Sequence, residues 1–233
     1  HYTKAEDDAM LALKSNQATT YTKTEDDIML ALKANLNSPA LVNPTINGVT
    51  QSGYSGFKNY IINGGFDVWQ RGTSFTNPNN QYTADRWCIV HDGGACVASK
   101  DPNSGIAITN STSSTGWVYI HTRVEGNNFR NFIYGKSTVT MTLSLNVWSS
   151  HNENCVLYIV APTSEDNYAS TTAVVNQDFT LNAGLNYKTF TFTANTSAIK
   201  NGLQVTLVDS IGTAGQTIAW QKVQLEEGSV ATP

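Results

Sequence analysis

Three features of this sequence predict a mainly β chain: an antiparallel sandwich head carried behind a short helical repeat stalk. From residue 59 onward, apolar and polar residues alternate in short runs, with no helical period between them. Polar turns separate these runs, and Asn, Thr, Ser and Gly are abundant. At the front, YTKAEDDAMLALKSN (residues 2–16) returns almost unchanged as YTKTEDDIMLALKAN at residues 21–35, nineteen positions on.

Each copy opens on a helix start. Thr3 with Glu6, and Thr22 with Glu25, have the capping-box spacing, in which side chain and backbone satisfy each other's free donors. Asp7 and Asp8, then Asp26 and Asp27, sit where the helix dipole favours negative charge, and Lys14 and Lys33 lie at the opposite ends. Nineteen is not a multiple of seven, and a second capping box inside a continuous helix would be wasted. The segment 1–36 therefore reads as two short helices broken at Thr19-Thr20, and not as one uninterrupted coiled coil. Met29, Leu32 and Leu36 form a narrow apolar seam, and Met10 and Leu13 repeat it. Helices of about a dozen residues are marginal alone in water. Self-association of parallel copies is the predicted remedy, with docking on the chain's own β domain as the alternative. The repeat suggests a rod with further copies upstream, so the chain, which does not begin with Met, reads as part of something longer.

Residues 37–58 read as an extended neck, since Pro39 and Pro44 exclude helix and Asn47-Gly48 marks a turn. Residues 59–233 form the head. The clearest strand is Thr138–Val147: Val139, Met141, Leu143, Leu145 and Val147 face inward, while Thr138, Thr140, Thr142, Ser144 and Asn146 face outward. Phe190 with Phe192, Leu203 with Val205 and Leu207, and Val118 with Ile120 and Val124 are further inward rows.

The composition narrows the function. The 233 residues carry a formal net charge of −4 with only 14% charged residues, so there is no basic face for nucleic acid. There is no apolar run long enough to span a bilayer, which argues against membrane insertion. Cys88, Cys96 and Cys155 are odd in number. They read as buried free thiols, although a hairpin at Asp92-Gly93-Gly94 would bring Cys88 near Cys96. Nothing in the sequence asks for a metal or another cofactor: His91, His121 and His151 lack ligand spacing.

The order of signposts carries a resemblance. Asn63-Gly64-Gly65-Phe66 with Trp69, then Ala84-Asp85-Arg86-Trp87, then the closing Val223-Gln224-Leu225-Glu226 resemble a jelly roll of the galactose-binding or carbohydrate-binding-module type. More narrowly, YTKTEDDIMLALKAN, NPTINGVT, NYIINGGFDVWQRGTSF, YTADRW and VQLEEGSVATP resemble the distal, receptor-binding end of an L-shaped bacteriophage tail fibre. The resemblance implies a parallel homotrimer at the tail-fibre tip of the virion. It would bind bacterial surface polysaccharide of the O-antigen class and join other phage tail proteins through a missing N-terminal part. In some such fibres a C-terminal chaperone is removed after trimerisation. A carbohydrate-binding module of a secreted glycosidase and a purely structural fibre end are the alternatives.

A sugar site needs aromatic faces beside hydrogen-bonding rims. Trp117, Tyr119, His121, Arg123 and Glu125 alternate with the buried Val118, Ile120 and Val124, so they share the outer face. That face suits a sugar platform or a subunit interface equally. Trp148 continues the polar face of its strand and should also point outward, for binding or for packing under a loop. The loop holding Asn127, Asn128, Phe129, Arg130, Asn131 and Phe132, and the loop Glu165-Asp166-Asn167-Tyr168, complete the candidates. Catalysis is not expected: Glu125, Glu153, Glu165, Asp166, Asp178 and Asp209 mostly read as loop residues, and no nucleophile or metalloprotease motif is present.

Overall fold

A computed structural model describes residues 2–15, 27, 45–46, 49–50, 59–210 and 212–232. The chain divides into two compact units, His1–Gly56 and Phe57–Pro233. In the first, helix α1 (Lys4–Ser15) begins at Thr3, whose backbone N–H and hydroxyl both donate to Glu6 Oε2, at 2.8 and 2.9 Å. This is the Glu half of a capping box; the Thr3 hydroxyl is a donor here, not an acceptor for the Glu6 N–H. Met10, Leu11 and Leu13 are exposed along the helix. Of the second copy only Asp27, which is helical, is described. The neck contributes the two-residue strands β1 (Thr45–Ile46) and β2 (Val49–Thr50), paired antiparallel; the rest of residues 37–58 lies outside the described residues.

Among the described residues the second unit holds twelve strands. They are β3 (Ser74–Thr76), β4 (Gln81–Tyr82), β5 (Trp87–Asp92), β6 (Cys96–Asp101), β7 (Gly105–Asn110), β8 (Trp117–Glu125), β9 (Thr138–Ser149), β10 (Glu153–Ser164), β11 (Asn167–Leu181), β12 (Gly184–Asn195), β13 (Gly202–Ser210) and β14 (Thr217–Glu227). A first six-stranded sheet runs β11-β10-β13-β8-β5-β4, and a second runs β12-β9-β14-β7-β6-β3. Every pairing is antiparallel. The predicted antiparallel sandwich is therefore present, with the predicted inward rows buried between its sheets except Phe192, which is partly buried.

The signposts of the sequence meet in one clasp. Asn63, at φ 57°, donates through Nδ2 to the carbonyls of Val68 and Asp85 and accepts from the Val68 N–H, while Trp87 Nε1 donates to its carbonyl. Gly64 is required beside it, because a Cβ would lie 2.0 Å from the Val223 carbonyl oxygen. Phe66 packs tilted on Trp87 with centroids 4.6 Å apart, and both are fully buried. Trp220 is also buried; Trp69 is only partly so, at the edge of the core.

Three details differ from the sequence reading. The turn after β5 does not close a hairpin: it carries the chain from the first sheet to the second, and Cys88 and Cys96 are free on different sheets. Thr142 and Ser144 face outward yet are buried, because residues after β14 fold over that face and Gly228 O accepts from Thr142 Oγ1 at 2.7 Å. The stretch 126–133 is a 3-10 turn followed by a helical turn, not an open loop.

Candidate functional site

The predicted site residues fall on both outer faces of the sandwich. Trp117, Tyr119, His121 and Arg123 come from β8 and belong to the first sheet; Trp148 comes from β9 and belongs to the second.

On the first face the aromatic pair is not a flat platform. The rings of Trp117 and Tyr119 stack on each other, 5.0 Å apart and 16° from parallel, so each spends a face on the other. Tyr119 then meets His121, tilted, at 5.8 Å. His121 is 6% exposed, although the alternation predicts an open polar group. Cys88 and Thr206 flank it across the sheet, and Tyr119 meets it along the strand. Burial, and then the charge of Arg123, push its pKa down to about 4, so the imidazole is neutral at physiological pH.

Beyond His121 the face opens into a cleft of about 330 Å³ that the sequence analysis did not anticipate as a unit. Arg123 lies over the Tyr168 ring at 4.3 Å and donates through Nε to Gln204 Oε1 at 2.9 Å. Tyr168 is locked in turn, its hydroxyl 3.0 Å from the Leu203 carbonyl oxygen. Gly202, at φ 114°, makes the room: a Cβ there would lie 2.7 Å from that hydroxyl. Arg86, itself at φ 74°, reaches the Arg123 carbonyl at 2.9 Å and pairs with Glu125. A non-glycine residue in this region costs about 1–3 kcal/mol, which the surrounding contacts must offset. Arg71 and Tyr82 close the far wall.

Two predicted residues leave the site. Phe129 is fully buried, stacked on Tyr60 at 5.1 Å, because the helical turn rotates it into the core with Phe132. Arg130 points to solvent and pairs with Glu165 at 2.8 Å, an exposed pair of small energetic weight.

The second face carries a cleft of about 500 Å³. Trp148 is 41% exposed, and among the described residues no ring stacks on it. Leu185 flanks it on β12 and the small Ala219 on β14. Asn146, Gln221, Asp101, Asn103 and Lys222 bring hydrogen-bonding groups to the same cleft. Gln221 is positioned by donating to Asp101 Oδ1 at 3.1 Å. Lys222 sits at φ 47° in the register shift between Gln221 and Gln224, a bulge that re-aims the side chain. No periodicity marks such a bulge in the sequence, which is why Lys222 was missed.

The carboxylates are mostly strand residues, contrary to the loop reading: Glu125, Glu153, Asp178 and Asp209 lie in β8, β10, β11 and β13. Glu125 is engaged by Arg86 and Asn128, and Asp166 Oδ1 accepts the Gly126 N–H at 2.9 Å. Glu153 Oε2 is 2.7 Å from His151 Nε2. Asp209 is 3% exposed with Oδ1 unpartnered, and burial, then the charge of Glu153, raise its pKa to about 8. No group of three His, Cys, Asp or Glu residues suited to a metal ion occurs among the described residues.

No protein-family model matches the chain, and no curated protein matches its sequence. Among solved structures it is similar to a CBM4 structure, at 17% identity and TM-score 0.45, covering 72% of this chain and 99% of that one. It is also similar to a family 11 carbohydrate-binding module from Clostridium thermocellum in complex with a β-1,3-1,4-mixed-linked tetrasaccharide. There the identity is 9% and the TM-score 0.41, with 69% and 98% coverage. A third likeness is to the enzymatically active domain of bacteriophage CBA120 tailspike protein 4, at 11% identity and TM-score 0.41, covering 67% of this chain and 21% of that one.

Proposed function

We propose that the chain is a non-catalytic glycan-binding head at the tip of a bacteriophage tail fibre, attaching reversibly to polysaccharide on the host cell surface. The observation that carries this reading is Trp148, an open indole with no ring partner among the described residues, in a cleft rimmed by amide, carboxylate and ammonium groups. An apolar ring face with such a rim suits the CH face and hydroxyls of a sugar. Glu125, Glu153 and Glu165 are paired with arginine or histidine and Asp209 is buried, which supports binding over hydrolysis. The capped repeat with exposed Met10 and Leu13 on α1 supports a parallel homotrimer, in which linked weak sites on a repeating polymer multiply affinity. A carbohydrate-binding module of a secreted glycosidase shares the site chemistry but predicts a monomer.

Light scattering on the full chain is expected to give a trimer; a monomer at high dilution removes the fibre reading. Oligosaccharide fragments of host surface polysaccharide are expected to bind the chain, and Trp148→Ala to weaken them by about tenfold or more. Unchanged affinity in that variant excludes the Trp148 cleft as the site.

A further inference from the structure

The four arginines of the sequence divide unevenly. Arg71 pairs with Asp85 at 2.8 Å, Arg86 pairs with Glu125, and Arg130 pairs with Glu165 at 2.8 Å. Arg123 makes no ion pair among the described residues, although its guanidinium is held in place. Its Nε is spent on Gln204 at 2.9 Å, and its plane rests on Tyr168 at 4.3 Å. Tyr168 cannot swing away, because its hydroxyl is bonded to strand carbonyls and Gly202 leaves only enough room for it. The terminal Nη groups are left facing the cleft with no partner among the described side chains.

We propose that this cleft is a second ligand site, on the opposite outer face from Trp148, and that it takes an anionic group borne on a sugar. A fixed planar guanidinium whose two Nη groups keep free N–H bonds matches the paired oxygens of a carboxylate or phosphate. A neutral hydroxyl would use one N–H and leave the charge unanswered. The rest of the cleft suits the sugar that bears the anion. Tyr82, 43% exposed with Arg71 over its ring at 5.9 Å, lines one wall, and Asp166, with Oδ1 held by the Gly126 N–H, has its other oxygen to accept a hydroxyl. Pre-ordering of Arg123 lowers the entropic cost of capture. The inference rests on the glycan reading only for the polymer that carries the anion.

The test is calorimetric titration of the full chain with a panel of hexuronate oligosaccharides, their carboxyl-reduced counterparts, and a hexose phosphate. At least one anionic probe is expected to bind about tenfold or more tighter than its neutral counterpart, with the preference falling as salt rises. Arg123→Gln is expected to erase the preference and Arg123→Lys to keep only part of it. Arg123 is an exposed side chain, so a thermal melt close to wild type verifies the fold of each variant. Uronate binding without phosphate binding, or the reverse, supports the inference and identifies the anion. Equal binding of neutral and acidic probes, no binding of any anionic probe, or an unchanged preference in Arg123→Gln overturns it. Acid binding through Arg123 with no neutral binding at Trp148 sinks the Trp148 reading alone; neutral binding at Trp148 without an acid preference sinks this inference alone.

Discussion

The two outer faces of the sandwich use aromatic residues in opposite ways. On the first face, Trp117 and Tyr119 lie two residues apart on one strand and stack on each other, and Tyr119 meets the buried His121. On the second, Trp148 has a small residue, Ala219, as one cross-strand neighbour, and its ring stays open. The difference teaches that alternation along a strand reports which side a ring is on and nothing about whether its face is free. That depends on the neighbours across the sheet. Both sheets hold buried polar atoms without a partner among the described residues: His121 Nδ1 and Asp209 Oδ1 in the first, Asn110 Oδ1 in the second.

The largest expected effect separates the faces through backbone strain. Gly202→Ala places a side chain at φ 114° and 2.7 Å from the Tyr168 hydroxyl. It should cost about 2–4 kcal/mol of stability and displace Arg123. Chemical denaturation checks the first, and retention of binding at Trp148 checks that the damage stays on one face.

A second test uses pH. Asp209 is raised to about 8 from its usual 3.8, so its contribution to stability is fully present below about 3.8 and is lost as pH rises through about 8. His121 is lowered to about 4 from 6.5, so its contribution is present above about 6.5 and is lost as pH falls through about 4. Asp209→Asn removes the first dependence. Urea melts should show the variant gaining on wild type steadily from pH 4 to pH 8. Parallel curves contradict the burial of a protonated Asp209.

The smallest effect compares the rings themselves. Tyr119→Ala breaks a stacked pair and removes the ring that meets His121, and should cost about 1–2 kcal/mol. Trp148→Ala removes a ring without a stacking partner among the described residues, and should cost less than about 1 kcal/mol while still weakening sugar binding. Equal losses of stability would erase the contrast between the faces.

Much of the fold was legible because the inward rows of β8, β9 and β13 obey strict alternation and the first capping box is written in Thr3 and Glu6. The site was legible only in part. Alternation placed Trp117 and Trp148 outward without revealing that they belong to opposite sheets, since sheet membership is fixed by long-range pairing. Phe129 sits among Asn127, Asn128, Arg130 and Asn131, whose polarity hid the helical turn that buries it. The Arg123 cleft assembles residues from the segment before β3, from β4, from the turn before β5 and from the β10–β11 corner. No local pattern joins them.

The most direct test is a nuclear magnetic resonance titration of the chain with host-surface oligosaccharides, following its five tryptophan indole N–H signals. The Trp148 signal is predicted to move in proportion to bound sugar, while those of the buried Trp87 and Trp220 stay in place. Saturating ligand that leaves Trp148 unmoved, or that shifts all five alike, contradicts the account.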